Sequence, residues 1–367
     1  MENRTYVTWE FIESFMVEAF KKIGVPEKDA YTCADVLMES DRRGIESHGV
    51  NRFKPIYIDR ILAGIQKPET QIDILRETPT TAVLDANDGM GMVVSKKAME
   101  MAIEKAKLYG MGMVAVRNST HYGIAGYYAT MASNEGMIGM TGTNARPSIA
   151  PTFGVENMLG TNPLTFALPT DEEFPFVLDC ATSITQRGKI EYFAKVGKET
   201  PKGMVVGRDG LPKSDSNQIL KDLVNQEAAL APLGGIGEEL AGYKGYGYAT
   251  IVEILSAALQ AGNFMKMLSG RDEDGKLVPY HLGHFFIAID TEAFMGLQSF
   301  KKTAGDILRE LRNSQKAPGE NRIFTAGEKE YDVWMERKKK GLPLTEASKN
   351  DIIYVNKLLD LNINLPF

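Results

Sequence analysis

Two short polar clusters carry the side chains best suited to chemistry: Asn118-Ser119-Thr120-His121-Tyr122-Gly123 and Ser47-His48-Gly49-Val50-Asn51-Arg52. An imidazole exchanges a proton near neutral pH, so His121 is a candidate acid–base group. In the second cluster, Arg52 offers a planar, two-pronged grip on a carboxylate. Ser47 and His48 add a hydroxyl and a second imidazole. Backbone N–H groups at a helix entrance add partial positive charge, which completes a plausible seat for a small carboxylate. Plainer accounts stay open for both clusters. His121 also fits a surface loop. Ser47 also fits a simple helix cap, with Arg52 paired to a surface acid.

The elements that must position these residues can be read from hydrophobic spacing. Trp9, Ile12, Phe15, Met16, Ala19, Phe20 and Ile23 recur at helical intervals and predict a helix over 8–23, stopped by Gly24. Pro26 opens a second helix that ends near Gly44, and a third spans about 51–63. The Ser47 cluster therefore lies at a helix entrance. Strands are expected at 81–85, 113–116, 137–142, 164–168, 176–179 and 284–290, with helices over 92–109, 124–135 and 248–261. His121 follows the 113–116 strand and precedes the 124–135 helix, a place where α/β proteins often carry reactive side chains. Residues 195–218 read as a charged loop, and C-terminal helices are expected to begin near Glu292 and Thr325. The pattern is that of an α/β protein with helical ends. The Met-rich stretches read as core filler.

The bulk numbers exclude several classes. Hydrophobic residues make up 43% and charged residues 25%, as in ordinary globular proteins. The net charge of −6 argues against a nucleic-acid partner, which prefers a basic face. The basic run Arg337-Lys338-Lys339-Lys340 reads as a solvated helix end. Two well-separated cysteines, Cys33 and Cys180, fit a reducing, cytoplasmic setting. No run is long and apolar enough to suggest a membrane span or a signal core. His281-Leu282-Gly283-His284 leads into an extended run, where residues three apart face opposite ways, so it reads as strand-edge packing rather than metal ligation. No Gly-x-Ser-x-Gly elbow supports a serine hydrolase.

A Rossmann dinucleotide site would require Gly-x-Gly-x-x-Gly after a strand and before a helix. The near match Gly110-Met111-Gly112-Met113-Val114-Ala115 lies after a helix and before a strand, the reverse order. It cannot aim a helix N-terminus at a pyrophosphate. Any dinucleotide must be held by another device.

The two clusters are joined, in order, by Gly160-Thr161-Asn162-Pro163, Leu178-Asp179-Cys180-Ala181-Thr182-Ser183, Pro232-Leu233-Gly234-Gly235, Tyr243-Lys244-Gly245-Tyr246-Gly247 and Pro318-Gly319-Glu320. This set resembles the malate/L-lactate dehydrogenase family of the non-Rossmann kind, which includes sulfolactate and ureidoglycolate dehydrogenases. The similarity spans roughly residues 8 to 360. It implies an α/β oxidoreductase with its own dinucleotide fold, dependent on NAD or NADP and acting as a homodimer on a small 2-hydroxy or 2-oxo acid. The implied organisation is a helical region over 1–75, a central cofactor-binding and catalytic region over 76–300, and a C-terminal helical region over 301–367 that packs back on the first.

The resemblance also implies roles. His121 matches the general acid/base, with Ser47 and Arg52 on the substrate side. His48, Asn144, Asp179, Cys180, Ala181, Lys244, Pro318, Gly319 and Glu320 match cofactor-contact regions. The family's usual Thr-Asp-Pro stretch is replaced by Ser214-Asp215-Ser216. Malate is the expected substrate; lactate, sulfolactate, ureidoglycolate or a cyclic imino acid is the alternative, as is an inactive binding protein. A second carboxylate would need its own cation, for which Arg146, Arg187 and Lys189 are candidates. Arg322 could meet a 2′-phosphate, but Glu320 would repel one, which favours NAD.

Overall fold

The computed structural model describes residues 4–367. It opens with β1 (Thr5–Val7), α1 (Trp9–Lys22) and α2 (Glu27–Arg42). The Thr8 side chain accepts from Phe11 N and starts α1, and Ile12, Phe15, Met16, Ala19 and Phe20 bury the predicted stripe. Each such burial contributes about 1.5–3 kcal/mol for the larger side chains. A short helix, α3 (Val50–Arg52), then runs through a π-helical stretch, Phe53–Ile58, into α4 (Asp59–Leu62).

The central region supplies β2 (Asp73–Glu77), β3 (Thr81–Asp85), α5 (Gly91–Tyr109), β4 (Met111–Ser119), α6 (Ala125–Asn134), β5 (Met137–Thr143), β6 (Leu164–Leu168) and β7 (Phe176–Cys180). After these come α7 (Arg187–Lys195), β8 (Val205–Gly207), α8 (Ser216–Val224), β9 (Ala228–Leu230), α9 (Gly242–Ala257) and β10 (Leu282–Asp290). The chain closes with α10 (Leu297–Asn313), α11 (Glu328–Lys340), β11 (Leu342–Leu344) and α12 (Glu346–Leu358).

Seven strands form one sheet in the order β2-β3-β4-β10-β5-β6-β7. Only β3 and β4 run parallel; the other neighbours are antiparallel. A doubly wound nucleotide fold needs a mainly parallel sheet, so the non-Rossmann expectation is met. β10 lies between β4 and β5, with α5 and α6 packed against this part of the sheet and α9 also packed on it. Its near-continuous apolar run, Phe285 to Ile289, reflects that burial.

The ends of the chain meet. β1 pairs antiparallel with β11, and one core joins α1 and α2 to Leu342, Leu344, Ile352 and Val355. A second core lies under the sheet, and a third gathers Ile149, Leu159, Ile190, Val205, Ile219 and Leu230.

The structure corrects several expectations. Residues 195–218 are not one loop: they contain β8, which pairs with β9, and they lead into α8. Asp215 caps α8 by accepting from Asn217 N and Gln218 N, so the Ser214-Asp215-Ser216 stretch is a helix start. α9 begins at Gly242 rather than Tyr248. Its glycines suggest a loop in sequence, but a Cβ on Gly245 would lie 2.2 Å from Leu233 O, so close approach to that backbone requires glycine. α10 and α11 begin at Leu297 and Glu328, a few residues later than expected. The short edge pairs β1 and β11, the strand β2 and the last helix α12 carried too little pattern to be anticipated. The Met-rich stretches are mixed: Met90, Met92 and Met99 are buried, whereas Met111 is exposed.

Candidate active site

His121 stands in a loop braced from several sides. β4 ends at Ser119, whose Oγ lies 2.7 Å from His284 Nε2, while His284 Nδ1 lies 2.7 Å from Thr143 Oγ1. The Tyr122 ring stacks on His284 with centroids 4.6 Å apart. Thr120 Oγ1 donates to Gly89 O at 2.8 Å and accepts from Gly91 N at 2.9 Å, which ties the loop to the start of α5. His284 is thus fully buried in the middle of the sheet, not at a strand edge as its sequence suggested. Burial lowers its pKa to about 3, so it acts as a neutral hydrogen-bonding brace. Among the described residues no His, Cys, Asp and Glu cluster forms a metal site.

The His121 ring meets Tyr57. The Tyr57 hydroxyl lies 2.7 Å from Nδ1, and Gly123 N donates to the same nitrogen at 3.2 Å. With both contacts made, the neutral ring carries its proton on Nε2. Burial lowers the pKa of His121 well below 6.5, and the charges of His48, Arg60 and Arg52 push the same way. His48 stacks on His121 at 5.8 Å with 19° between the planes. Burial, then the Arg52 charge, lowers the His48 pKa to about 4.

The second cluster is held differently. Asp41, not Ser47, caps α3: its carboxylate accepts from Val50 N at 2.7 Å. A Cβ on Gly49 would lie 2.1 Å from that carboxylate, so only glycine fits in Ser47-His48-Gly49. Burial raises the Asp41 pKa to about 7, against the lowering effect of the Val50 hydrogen bond and Arg337. Ser47 Oγ lies 2.9 Å from His48 Nδ1, and Arg52 Nε donates to Ser47 O at 2.6 Å. Arg52 has no carboxylate partner among the described residues. Arg337 is a further correction. Its three lysine neighbours are exposed, but it is buried, and its guanidinium donates to Asp41 O and to Glu46.

A groove of about 530 Å³ runs beside these clusters. Ser47, His48, Asp179, Cys180 and Ala181 line it, together with the Tyr122–Ala125 segment that follows His121. A second hollow of about 300 Å³ shares Ile45, Ile124, Asp179 and Glu330 with it and extends to Phe324 and Lys329. Asp179 accepts from Gly126 N at 2.7 Å and from Thr165 Oγ1 at 2.9 Å, so it caps α6 while facing the groove; burial raises its pKa. Ser183 and Thr185 also line the groove, and their hydroxyls are buried beside it without a hydrogen-bond partner. Buried polar groups are normally paired, so these two suit the amide and phosphate groups of a dinucleotide.

Other expected cofactor residues lie outside the groove lining. Asn144 is fully buried, donates to Asn263 O at 3.0 Å and accepts from Gly283 N at 2.8 Å, a bracing role. Lys244 is exposed on α9 beside the Tyr243 ring. Pro318-Gly319-Glu320 forms an exposed turn between α10 and α11. Sequence reasoning missed Tyr57, Asp41 and Thr185, and it quoted Ser183 only as the end of the 178–183 motif, without a role. Tyr57 sits in an apolar stripe and reads as core, and Thr185 carries no motif by itself.

Comparison with known proteins fits this geometry. A profile of the malate/L-lactate dehydrogenases matches residues 7–353. A malate dehydrogenase of Pyrococcus horikoshii is 43% identical over 94% of this chain and 92% of that protein. An L-sulfolactate dehydrogenase of Methanocaldococcus jannaschii is 40% identical over 96% of each. The crystal structure of malate dehydrogenase from Entamoeba histolytica superposes with a TM-score of 0.94 at 45% identity, covering 100% of both chains. The chain belongs to the malate/L-lactate dehydrogenase family. It is a dehydrogenase on that scaffold, and the family implies a nicotinamide cofactor.

Proposed function

We propose that this enzyme interconverts malate and oxaloacetate with NAD, using His121 as the acid/base group and Arg52 to hold the 2-oxo acid carboxylate. The observation that carries this reading is the convergence of His121, His48 and Arg52 beside a groove with unpartnered hydroxyls. The name shared by relatives at 43–45% identity supports malate as substrate.

A bound nicotinamide supplies the carbon that accepts or returns hydride. The protein supplies alignment and the proton. For oxidation, His121 Nε2 takes the substrate hydroxyl proton. That requires the ring's own proton on Nδ1, where the Tyr57 hydroxyl turns to accept it and the hydrogen bond from Gly123 N is given up. Tyr57 thus donates to His121 at rest and accepts from it in the working tautomer and in the imidazolium. For reduction, the imidazolium returns its Nε2 proton to the carbonyl oxygen. Such transfer contributes about 10²–10⁴-fold. Arg52 orients C2 by gripping its carboxylate, a positioning gain. Ser47 and His48 flank the groove as substrate and cofactor contacts. Asp179, Cys180 and Ala181 also line it, with Asp179 keeping the α6 start in place.

NAD is favoured over NADP because Arg322, the candidate 2′-phosphate ligand, is engaged by Glu328 at 2.6 Å and Asp332 at 2.8 Å. A homodimer is favoured by α9, which is apolar on its outward side as well: Tyr248, Ile251 and Ile254 are exposed. No helix among the described residues is long and apolar enough to cross a membrane. Free Cys33 and Cys180 support a cytoplasmic setting. The test is NADH and NADPH oxidation, followed at 340 nm against oxaloacetate, pyruvate and 3-sulfopyruvate. Rapid turnover with oxaloacetate and NADH is expected. A folded protein that oxidises neither cofactor with any 2-oxo acid contradicts the reading.

A further inference from the structure

Arg60 stands close to His121 and Arg52, Arg146 stands close to Arg60, and no acid balances them. Arg52 is the carboxylate ligand proposed above. Arg60 follows Tyr57 by three residues, close to one helical turn, and its guanidinium lies over the Tyr280 ring, 4.4 Å from the centroid. Arg146 stands in the loop just after β5. The charges of Arg52 and Arg146 both act on Arg60, and those of Arg52 and Arg60 both act on His121. Among the described residues, none of the three has an Asp or Glu partner. The acid beside Arg60 in sequence, Asp59, is taken by Lys54 at 2.9 Å.

Arg52 and Arg60 are half-buried and Arg146 is exposed, so the repulsion falls mainly on the first two, where water is partly excluded, and an entering anion relieves it. One arginine suffices for the carboxylate next to the reacting carbon. The remaining charge points to a second anionic group on the same molecule. Stacking on Tyr280 fixes the plane of the Arg60 guanidinium and leaves its N–H edge for a carboxylate or sulfonate. The other cations considered from sequence are engaged elsewhere: Arg187 pairs with Glu191 at 2.8 Å, and Lys189 lies 5.3 Å over the rings of Tyr192 and Phe193.

We propose that Arg60, assisted by Arg146, holds the distal anionic group of the substrate and selects dianionic 2-oxo acids over those with an uncharged tail. The inference rests on the dehydrogenase reading of the site. It concerns specificity, not the proton or hydride step.

The experiment compares kcat/KM for oxaloacetate and for 2-oxobutyrate in the wild type and in Arg60→Gln, Arg60→Lys and Arg146→Gln. The wild type should favour oxaloacetate. Arg60→Gln should lower the oxaloacetate-to-2-oxobutyrate ratio by about a hundredfold, mainly through KM, as expected when one partner of a partly buried charge pair is removed. Arg60→Lys should restore part of the ratio, and Arg146→Gln should lower it less. An unchanged ratio in Arg60→Gln, with both substrates falling together, would mean that Arg60 only packs against Tyr280, and the proposal fails. A wild type that uses 2-oxobutyrate as well as oxaloacetate overturns the proposal while leaving the dehydrogenase reading standing. A wild type that reduces no 2-oxo acid overturns both. If Arg60→Gln does not fold, the ratios in Arg60→Lys and Arg146→Gln decide.

Discussion

The His121 loop and the Ser47–Arg52 cluster lie side by side, with His121 and His48 stacked at 5.8 Å, yet they are supported in opposite ways. The His121 loop hangs from the sheet. His284, Ser119 and Thr143 sit on three adjacent strands, and each brace is a short hydrogen bond inside the core. The Ser47 cluster has no sheet beneath it. Asp41 caps its helix from α2, and Arg337 and Ser348 reach it from α11 and α12, almost 300 residues along the chain. The proposed proton carrier is therefore tied to the buried centre of the sheet. The proposed substrate ligand depends on the docking of the C-terminal helices. Chemistry and substrate capture should accordingly fail separately.

The largest effect should come from the sheet-borne side. His121→Ala removes the proton carrier and should lower turnover by about 10²–10⁴-fold while dinucleotide binding, read by fluorescence, stays within a few-fold. Near-normal turnover would return His121 to the role of a loop residue. On the other side, Arg52→Lys keeps the charge but loses the fork. KM for oxaloacetate should rise by roughly ten- to a hundredfold, as for loss of a charge-assisted hydrogen bond. Unchanged KM and kcat would remove Arg52 from the site.

Arg337→Met tests the support rather than the site. It strips Asp41 O and Glu46 of their shared donor and should cost about 2–3 kcal/mol in denaturant unfolding. KM should also rise, because the Ser47 cluster loosens while the His121 loop does not. A rise in KM without loss of stability, or the reverse, would break the proposed coupling.

A smaller effect is expected at Tyr57. In the free enzyme His121 has a pKa below 6.5, so it is already neutral, and able to accept a proton, at pH 6.5. The kcat/KM for malate oxidation should therefore hold down to pH 6.5 and fall only as the pH drops further and the ring protonates. Tyr57→Phe removes the hydroxyl that accepts from Nδ1–H in the working tautomer and in the imidazolium. Turnover should fall by about tenfold, of the order of one hydrogen bond. A limb centred at 6.5 in the wild type would contradict the burial of His121.

The contrast also explains what the sequence revealed. His121 was legible because its setting is local: strand, polar loop, helix. Ser47 and Arg52 were legible as residue types, but their supports were not, since Asp41 and Arg337 meet them only in the folded chain. Arg337 even stood in a basic run that resembled a solvated helix end. Tyr57 was hidden by geometry. Five residues along an ordinary helix carries a side chain about 140° round from Arg52. The π-helical stretch over 53–58 widens the turn and brings Tyr57 back towards that side. His284 looked like an edge residue because nothing in its own segment shows that β10 inserts between β4 and β5.

The most direct test of two clusters acting on one substrate is a double-mutant cycle on kcat/KM for oxaloacetate, using His121→Ala, Arg52→Lys and the pair together. Residues acting as a unit should couple, so the double variant should lose less than the product of the two single losses, by at least about 0.5 kcal/mol. Losses that multiply without coupling would mean that the clusters serve separate purposes, and the shared site would have to be abandoned.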